Sequence, residues 1–205
     1  MVAMPQKQQP TKMTEAEYYE FERNSDLKHE FLDGEIYAMA GASYEHNQIF
    51  SATLATLFSQ LRGKGCTVNP SDQKLKVMET GFIAYPDISV ICGEPVFAGE
   101  EYDTVTNPVL IIEVLSPSTE GYDRGKKFQN YREIKTLQEY LLISQDKAHI
   151  EAYTMQNGKW VLTDIIGLEA VYKFSSIDCQ LALSDVYENV TFPVEDETND
   201  GSNAS

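Results

Sequence analysis

The feature that most constrains this chain is a short apolar run with one carboxylate inside it. Residues 109–115 read VLIIEVL, so every near neighbour of Glu113 is apolar. An uninterrupted apolar run of this length predicts a strand that is covered on both faces. An ionised carboxylate is unfavourable in such a place unless it is paired with a cation or bound to a metal ion. Glu113 therefore needs a partner in a structural salt bridge or in a metal site, unless it lies at an edge position that is open to water.

Patterns along the rest of the chain predict an α/β protein of the α+β kind, with a mixed central β-sheet flanked by helices. Thr14 and Glu17 have the spacing of a capping box at the start of a helix. Asp33-Gly34 and Asn157-Gly158 are two-residue hairpin signals. Apolar residues at helical spacing predict a helix over 44–61. The other predicted elements are strands over 66–78, 81–92, 109–115, 139–144, 149–155, 159–163 and 177–183, a loop over 94–107 and an amphipathic helix over 123–135.

Length and composition predict one domain of residues 13–190, with a flexible leader (1–12) and an acidic disordered tail (191–205). The three cysteines are scattered and odd in number, which favours reduced thiols over a disulfide framework. No apolar run approaches the ~20 residues of a membrane helix, and the first residues lack a signal-peptide core. We therefore expect a soluble, cytoplasmic protein without a membrane partner.

The net charge of −16 excludes a broad surface that coats nucleic acid, because phosphate binding requires Lys and Arg. Part of this charge lies in residues 184–205, which contain acidic residues but neither Lys nor Arg. Any basic patch that contacts a phosphate must therefore be local.

Asp87 is the second carboxylate of interest, because it follows Pro86 at the start of a predicted strand and could point into a cleft. A turn residue that caps the strand is the simpler interpretation of this dipeptide alone. Together with Glu113 it would offer two oxygen ligands, a set that suits Mg²⁺. The histidines and cysteines do not have the spacing of a zinc site.

The segment after Glu113 supplies positive charge. On a helix, Asp123, Lys127 and Tyr131 fall on one face, and Lys126 lies one position round. A lysine that returns towards the end of the strand could contact a scissile phosphate. The alternative is a solvated helix on which Asp123 and Lys127 form an exposed pair, worth a few tenths of a kcal/mol.

The order of these motifs resembles the Uma2 family of restriction-endonuclease-like proteins, which are abundant in cyanobacteria and belong to the PD-(D/E)XK nuclease superfamily. The motifs are a hairpin followed by Gly-Ala-Ser, a His and a helix, then Pro-Asp, I-E-V-L-S-P-S-T, D-R-G-K-K-F with a Tyr, and E-Y-L-L-I. The resemblance covers roughly residues 13–187. It implies a restriction-endonuclease-like fold and a metal-dependent phosphodiesterase.

The resemblance also implies roles for individual residues. Asp87 and Glu113 match the two acidic metal ligands of the superfamily. Leu115 occupies the position where the superfamily has its strand lysine. In Uma2-like sequences this lysine is expected on the following helix, which indicates Lys127, with Lys126 as the second choice.

Three further residues are weaker candidates for the site. Glu35 and His46 match the family pattern, but a solvent-facing hairpin residue and a first-turn helix residue are equally good interpretations. Gln73 precedes Asp87 on the neighbouring predicted strand.

The leading hypothesis is an endonuclease that hydrolyses DNA phosphodiester bonds with Mg²⁺, or Mn²⁺, held by Asp87, Glu113 and the backbone carbonyl of Val114. Lys127 would stabilise the charge that develops on the phosphate. An alternative from another class is an inactive nuclease-fold module that binds nucleic acid or a protein partner. A third is a plain salt bridge between Glu113 and Lys127, with the function elsewhere. A homodimer could supply specificity, but the sequence identifies neither its interface nor a DNA target.

Overall fold

The computed structural model describes residues 12–39, 41–99 and 103–192, so the predicted leader and tail lie almost wholly outside the described residues. The elements in chain order are α1 (Glu15–Arg23), β1 (His29–Leu32), β2 (Glu35–Ala38), α2 (Tyr44–Leu61), β3 (Cys66–Pro70), β4 (Lys74–Lys76), β5 (Ile83–Ala84), β6 (Ile88–Cys92), β7 (Thr104–Val105), β8 (Leu110–Val114), α3 (Glu120–Tyr122), a π-helical turn (Asp123–Lys127), α4 (Phe128–Tyr131), β9 (Glu139–Ile143), β10 (His149–Gln156), β11 (Lys159–Ile166), β12 (Val171–Lys173), β13 (Gln180–Ala182) and α5 (Leu183–Val186).

The strand with the buried carboxylate is in the interior of a six-stranded mixed sheet. The strand order is β11-β10-β9-β8-β6-β3, in which β8 runs parallel to β9 and antiparallel to β6. All five residues of β8 are buried, which confirms that the strand is covered on both faces. Ile112 and Val114 pack in the core beneath α2, whereas Ile111 and Leu115 pack in a second core on the opposite face. Because side chains alternate along a strand, Glu113 lies on the face of the second core.

A second, five-stranded sheet and a small hairpin complete the described chain. The five-stranded sheet has the order β2-β1-β5-β4-β7, and β12 pairs with β13. The predicted class, mixed sheets flanked by helices, is confirmed. Thr14 and Glu17 form the predicted capping box of α1, and α2 has the predicted bounds. Both predicted hairpins are present.

The predicted strands 66–78 and 81–92 are each broken in two. β3 pairs with β6 in the large sheet, whereas β4 pairs with β5 in the smaller one. The two antiparallel chain segments therefore pass from the large sheet into the smaller one, between β3 and β4 in the first segment and between β5 and β6 in the second. The sequence does not show this bend, because both sheets bury their strands and the apolar pattern continues across it. The break places Asp87 at the junction of the two sheets, directly before β6.

The helical segment after β8 differs from the predicted helix over 123–135. It starts earlier, at Glu120, passes through a π-helical turn and ends at Tyr131. The short strands β7 and β12 lie where the sequence predicted none. No helix in the described parts of the chain is both long and apolar enough to span a membrane.

The expectation that the cysteines are reduced is wrong for two of the three. Cys66 and Cys92 lie directly opposite each other on β3 and β6 and form a disulfide, with their Cα atoms 4.0 Å apart. Their spacing in sequence could not indicate this pairing, because it depends on the register of two strands. Cys179 is a free, buried thiol. The cysteine pattern is therefore no argument for a reducing compartment.

Replacing Glu139 with Ala is expected to destabilise the fold by about 3 kcal/mol or more, because buried donors lose a charged acceptor. The Glu139 carboxylate is fully buried and accepts hydrogen bonds from the Tyr172 hydroxyl and from the backbone N–H and hydroxyl groups of Ser175 and Ser176. Urea denaturation measures the change. The exposed Glu169, replaced with Ala, is the control and should shift stability by less than about 0.5 kcal/mol.

Candidate active site

Asp87 and Glu113 are held against each other by the ends of two neighbouring strands. The backbone N–H of Val114 donates to Asp87 Oδ2 over 2.8 Å. In return, the backbone N–H of Asp87 lies 3.3 Å from Glu113 Oε2. The antiparallel register of β6 and β8, with Ile88 opposite Ile112, makes this exchange possible. Each carboxylate is thus fixed by the backbone of the strand that carries the other.

Lys127 provides the cation that the sequence required near Glu113. Its Nζ atom lies 3.0 Å from Glu30 Oε1, 3.1 Å from Glu113 Oε1 and 3.3 Å from Asp123 Oδ1. The lysine is 7% exposed, and Asp123 is 3% exposed. The alternative of an exposed Asp123–Lys127 pair is therefore wrong, since the face that carries these residues turns inwards. π-Helical turns inside helices are frequent at functional sites.

Tyrosine hydroxyl groups donate further hydrogen bonds to the cluster that Lys127 forms with the carboxylates of Glu30, Asp87, Glu113 and Asp123. Tyr131 donates to Glu113 Oε1 over 3.1 Å, and Tyr122 donates to Glu30 Oε2 over 2.9 Å. The Tyr140 hydroxyl donates to the backbone carbonyl of Asp123 over 3.1 Å. Neutral donors hold these carboxylates in place without adding positive charge.

The cluster contains more negative than positive charge. It contains four carboxylates, and Lys127 is the cation in direct contact with three of them. Burial raises the pKa of Glu113 to about 8; Lys127 opposes this shift, and Asp87 adds to it. Burial acts to lower the pKa of Lys127, but the neighbouring carboxylates outweigh it and raise that pKa well above its usual value. The lysine therefore stays charged, while Glu113 holds its proton more tightly than an ordinary carboxyl.

His46 faces the site from the first turn of α2. Its Nε2 atom lies 3.3 Å from Asp87 Oδ1, and its side chain is 15% exposed. The Ser43 hydroxyl caps this helix by accepting from the His46 N–H over 3.0 Å. The same hydroxyl donates to Gln145 Oε1 over 2.8 Å, just beyond β9. The start of α2 is thereby tied to the large sheet, with His46 beside Asp87.

The structure does not bring Glu35, Gln73 or Lys126 into contact with this cluster. Glu35 is exposed, and its carboxylate accepts from the Tyr37 hydroxyl over 2.7 Å. The Gln73 amide donates to the backbone carbonyl groups of Lys74 and Asp103 and so links β4 to the loop before β7. The Lys126 side chain is exposed.

Glu30 is a member of the cluster that reasoning from the sequence missed. Strand pairing places Glu30 opposite Tyr37 and Leu32 opposite Glu35, so all four side chains lie on one face of the hairpin. The hairpin signal at Asp33-Gly34 indicated this face, but not which of the two glutamates reaches inwards. That choice depends on how the hairpin packs against the helical segment.

The chemical type of the ligands at this site suits a hard divalent ion. Asp87 and Glu113 offer carboxylate oxygens, the ligands that Mg²⁺ prefers, and Mg²⁺ keeps several water or phosphate ligands of its own. In the described residues, no three Asp, Glu, His or Cys side chains already converge as a metal cage. The Lys127 ammonium lies among the carboxylates instead.

A family model described as "Uma2: Putative restriction endonuclease" matches residues 15–184. The chain belongs to the Uma2 family. This match includes the whole cluster, from Glu30 to Tyr140. It confirms the resemblance found in the sequence.

Two relatives and one solved structure are similar to this chain over most of its length. Two proteins of Synechocystis sp. are similar: "Uncharacterized protein slr1290" is 36% identical over 88% of this chain and 94% of its own length. "Uncharacterized protein sll1609" is 40% identical over 80% of this chain and 93% of its own. The crystal structure of a "putative nuclease belonging to DUF820" from Anabaena variabilis superimposes with a TM-score of 0.64 at 18% identity, covering 80% of this chain and 92% of that one. The last likeness shows the fold.

Proposed function

We propose that this Uma2 protein is a Mg²⁺-dependent endonuclease that hydrolyses DNA phosphodiester bonds, with Mn²⁺ as a substitute ion. The observation that carries the proposal is the braced pair Asp87 and Glu113 beside the buried, charged Lys127. Asp87, Glu113 and the backbone carbonyl of Val114 would hold the ion. When bound, Mg²⁺ supplies Lewis-acid chemistry, since it polarises a phosphoryl oxygen and lowers the pKa of a water molecule.

The chain's own residues supply the positioning and the charge. Lys127 is placed to neutralise the charge that develops on the phosphate, and burial strengthens that interaction. The Val114 N–H fixes one oxygen of Asp87, and His46 lies beside the other. Tyr131 orients Glu113 through a hydrogen bond to Oε1.

An inactive module that binds nucleic acid or a protein partner is the second candidate. It is favoured by Leu115, which stands where the superfamily has its strand lysine and is buried in the second core. It is also favoured by the lack of a ready metal cage among the described residues. Against it, such a module has no need for several carboxylates buried around one lysine.

Cleavage of supercoiled plasmid and of single-stranded DNA, with Mg²⁺, Mn²⁺ or EDTA, tests the proposal. We expect cleavage that depends on the ion and that Asp87→Asn reduces by about 10²–10³-fold or more. Asp72→Asn is the matched control, because the Asp72 side chain is 84% exposed and pairs with Lys28 and not with a residue of the cluster. A folded wild type that neither binds a divalent ion in the presence of DNA nor cleaves would favour the binding module.

A further inference from the structure

β11 is one open edge of the six-stranded sheet. Its eight residues, Lys159–Ile166, pair with β10, and no strand in the described part of the chain pairs with its other side. The opposite edge, β3, is shorter, ends at Pro70 and is linked to β6 by the disulfide. Proline and short length are common devices that protect an edge from pairing with another chain. β11 has neither.

The hairpin geometry determines which backbone groups of β11 face outwards. Gln156 and Lys159 flank the two-residue turn and form the first hydrogen-bonded pair of the hairpin. Hydrogen-bonded and non-hydrogen-bonded pairs alternate from there along an antiparallel ladder. The N–H and C=O groups of residues 160, 162, 164 and 166 therefore point away from β10. These groups form a regular row that a further strand could pair with.

The side chains along this edge are mostly apolar. Ile166 is 72% exposed and Leu162 is 47% exposed. Trp160 is half-buried, with its ring edge-on to Phe128 at a centroid distance of 5.4 Å. Between Trp160 and Ile166 the charged residue is Asp164, whose Oδ1 lies 2.7 Å from His149 Nε2. A cover for this edge must therefore be apolar and must offer strand hydrogen bonds.

We propose that a second copy of this chain covers the edge, with the two β11 strands antiparallel about a two-fold axis at Thr163. A two-fold axis perpendicular to the sheet leaves each side chain on the same face of the sheet. Residues that lie opposite each other must share a face, so their numbers are both odd or both even. Centring on Thr163 pairs Trp160 with Ile166 and Val161 with Ile165. Every residue from Trp160 to Ile166 then has a partner. Leu162 lies opposite Asp164, whose carboxylate contacts His149 of its own chain, and the two outer pairs on each side of the axis join apolar side chains.

The charge along β11 favours a second copy of the chain over nucleic acid as the partner that covers this edge. A phosphate backbone needs cations, and Lys159 at the end of β11 is the strand's single one. Two copies with a net charge of −16 each repel one another. On β11 that repulsion is small, because the one carboxylate there already faces His149. This proposal is independent of the proposed nuclease activity.

Analytical ultracentrifugation of the full chain tests the proposal. We expect a dimer at tens of micromolar for the wild type, and for Ile166→Lys a mass that falls to the 23.1 kDa of one chain. Phe58→Lys is the matched control, since Phe58 is 62% exposed on a separate apolar groove between α2 and β3. That variant should remain a dimer. Circular dichroism of both variants checks that they are folded.

Thr163→Cys tests the register and does not depend on disrupting the strand. At a non-hydrogen-bonded pair the Cα atoms lie about 4.5 Å apart, within the range of a disulfide. Mild oxidation should therefore link two copies of this variant but not of the wild type. A monomeric wild type, or a dimer that Phe58→Lys rather than Ile166→Lys dissociates, would overturn the interface. A dimer that Thr163→Cys fails to cross-link would overturn the two-fold axis at Thr163.

Discussion

Glu113→Gln is expected to abolish Mg²⁺ binding and, at the same time, to stabilise the metal-free protein above pH 8. Burial raises the pKa of Glu113 from its ordinary value near 4.5 to about 8. The folded state therefore binds this proton more tightly than the unfolded chain, and stability falls as the pH rises from about 4.5 to about 8. Gln keeps the shape of the side chain but carries no charge. Lys127 remains paired in the variant, since Glu30 and Asp123 still contact it.

Thermal midpoints at pH 6 and pH 9, with and without Mg²⁺, measure this effect. We expect the stability advantage of Glu113→Gln over the wild type to grow by about 2–3 kcal/mol between pH 6 and pH 9, or by roughly 5–10 °C in the midpoint. Mg²⁺ should raise the midpoint of the wild type but not that of the variant. The exposed Glu35, replaced with Gln, should behave as the wild type in both respects. A marked loss of stability in Glu113→Gln, together with no response to Mg²⁺, would instead show a plain salt bridge.

Calorimetry adds a second measure of the same linkage. Because burial raises the pKa of Glu113 to about 8, we expect Mg²⁺ binding at neutral pH to displace a proton from it. The observed enthalpy should then depend on the ionisation enthalpy of the buffer, and the affinity should rise with pH until about pH 8. An affinity that is flat across this range would mean that Mg²⁺ binding displaces no proton from Glu113.

The sequence predicted the parts of this site that depend on local periodicity. The apolar run around Glu113 showed that its carboxylate is buried, and helical spacing placed Lys127 on the same face as Asp123 and Tyr131. These predictions depend only on the alternation of a strand and the turn of a helix. The structure added that the face of β8 with Glu113 and the face of the helical segment with Lys127 meet at one site.

Features that depend on contacts between distant segments could not be predicted in the same way. Glu30 enters the cluster through the packing of the β1–β2 hairpin, and the Cys66–Cys92 disulfide depends on the register of β3 and β6. The position of Asp87 at the junction of the two sheets depends on a bend within an apolar stretch. In each case the local pattern is compatible with more than one arrangement, and tertiary packing selects one.

The position of Lys127 explains how the site accommodates Leu115. Residue 115 lies on the same face as Glu113, two positions along, and Leu115 packs in the second core. A lysine at position 115 would extend towards Glu113 from the same strand. Here the ammonium arrives from the helical segment instead, and the π-helical turn brings both Asp123 and Lys127 inwards. A lysine can therefore reach Glu113 although the strand itself carries none.

Among lysine substitutions in the helical segment, Lys127→Met is accordingly expected to have the largest effect on stability and on DNA cleavage. It leaves Glu30, Glu113 and Asp123 buried without their shared cation, and we expect a loss of about 3–5 kcal/mol in the metal-free protein. Mg²⁺ should recover part of that loss, because a divalent ion neutralises the same carboxylates. Cleavage should fall by about 10²–10³-fold even where the variant is folded and metal-bound.

Lys126→Met is the matched control for this substitution. Its side chain is the neighbouring one in sequence but is exposed, so stability and cleavage should stay close to wild type. Urea denaturation with and without Mg²⁺ gives the stability, and the plasmid assay gives the rate. If Lys126→Met lost cleavage while Lys127→Met kept it, the catalytic lysine would be the exposed one. Lys127 would then be a structural counterion, whose positive charge permits carboxylates to be buried at the junction of the two sheets.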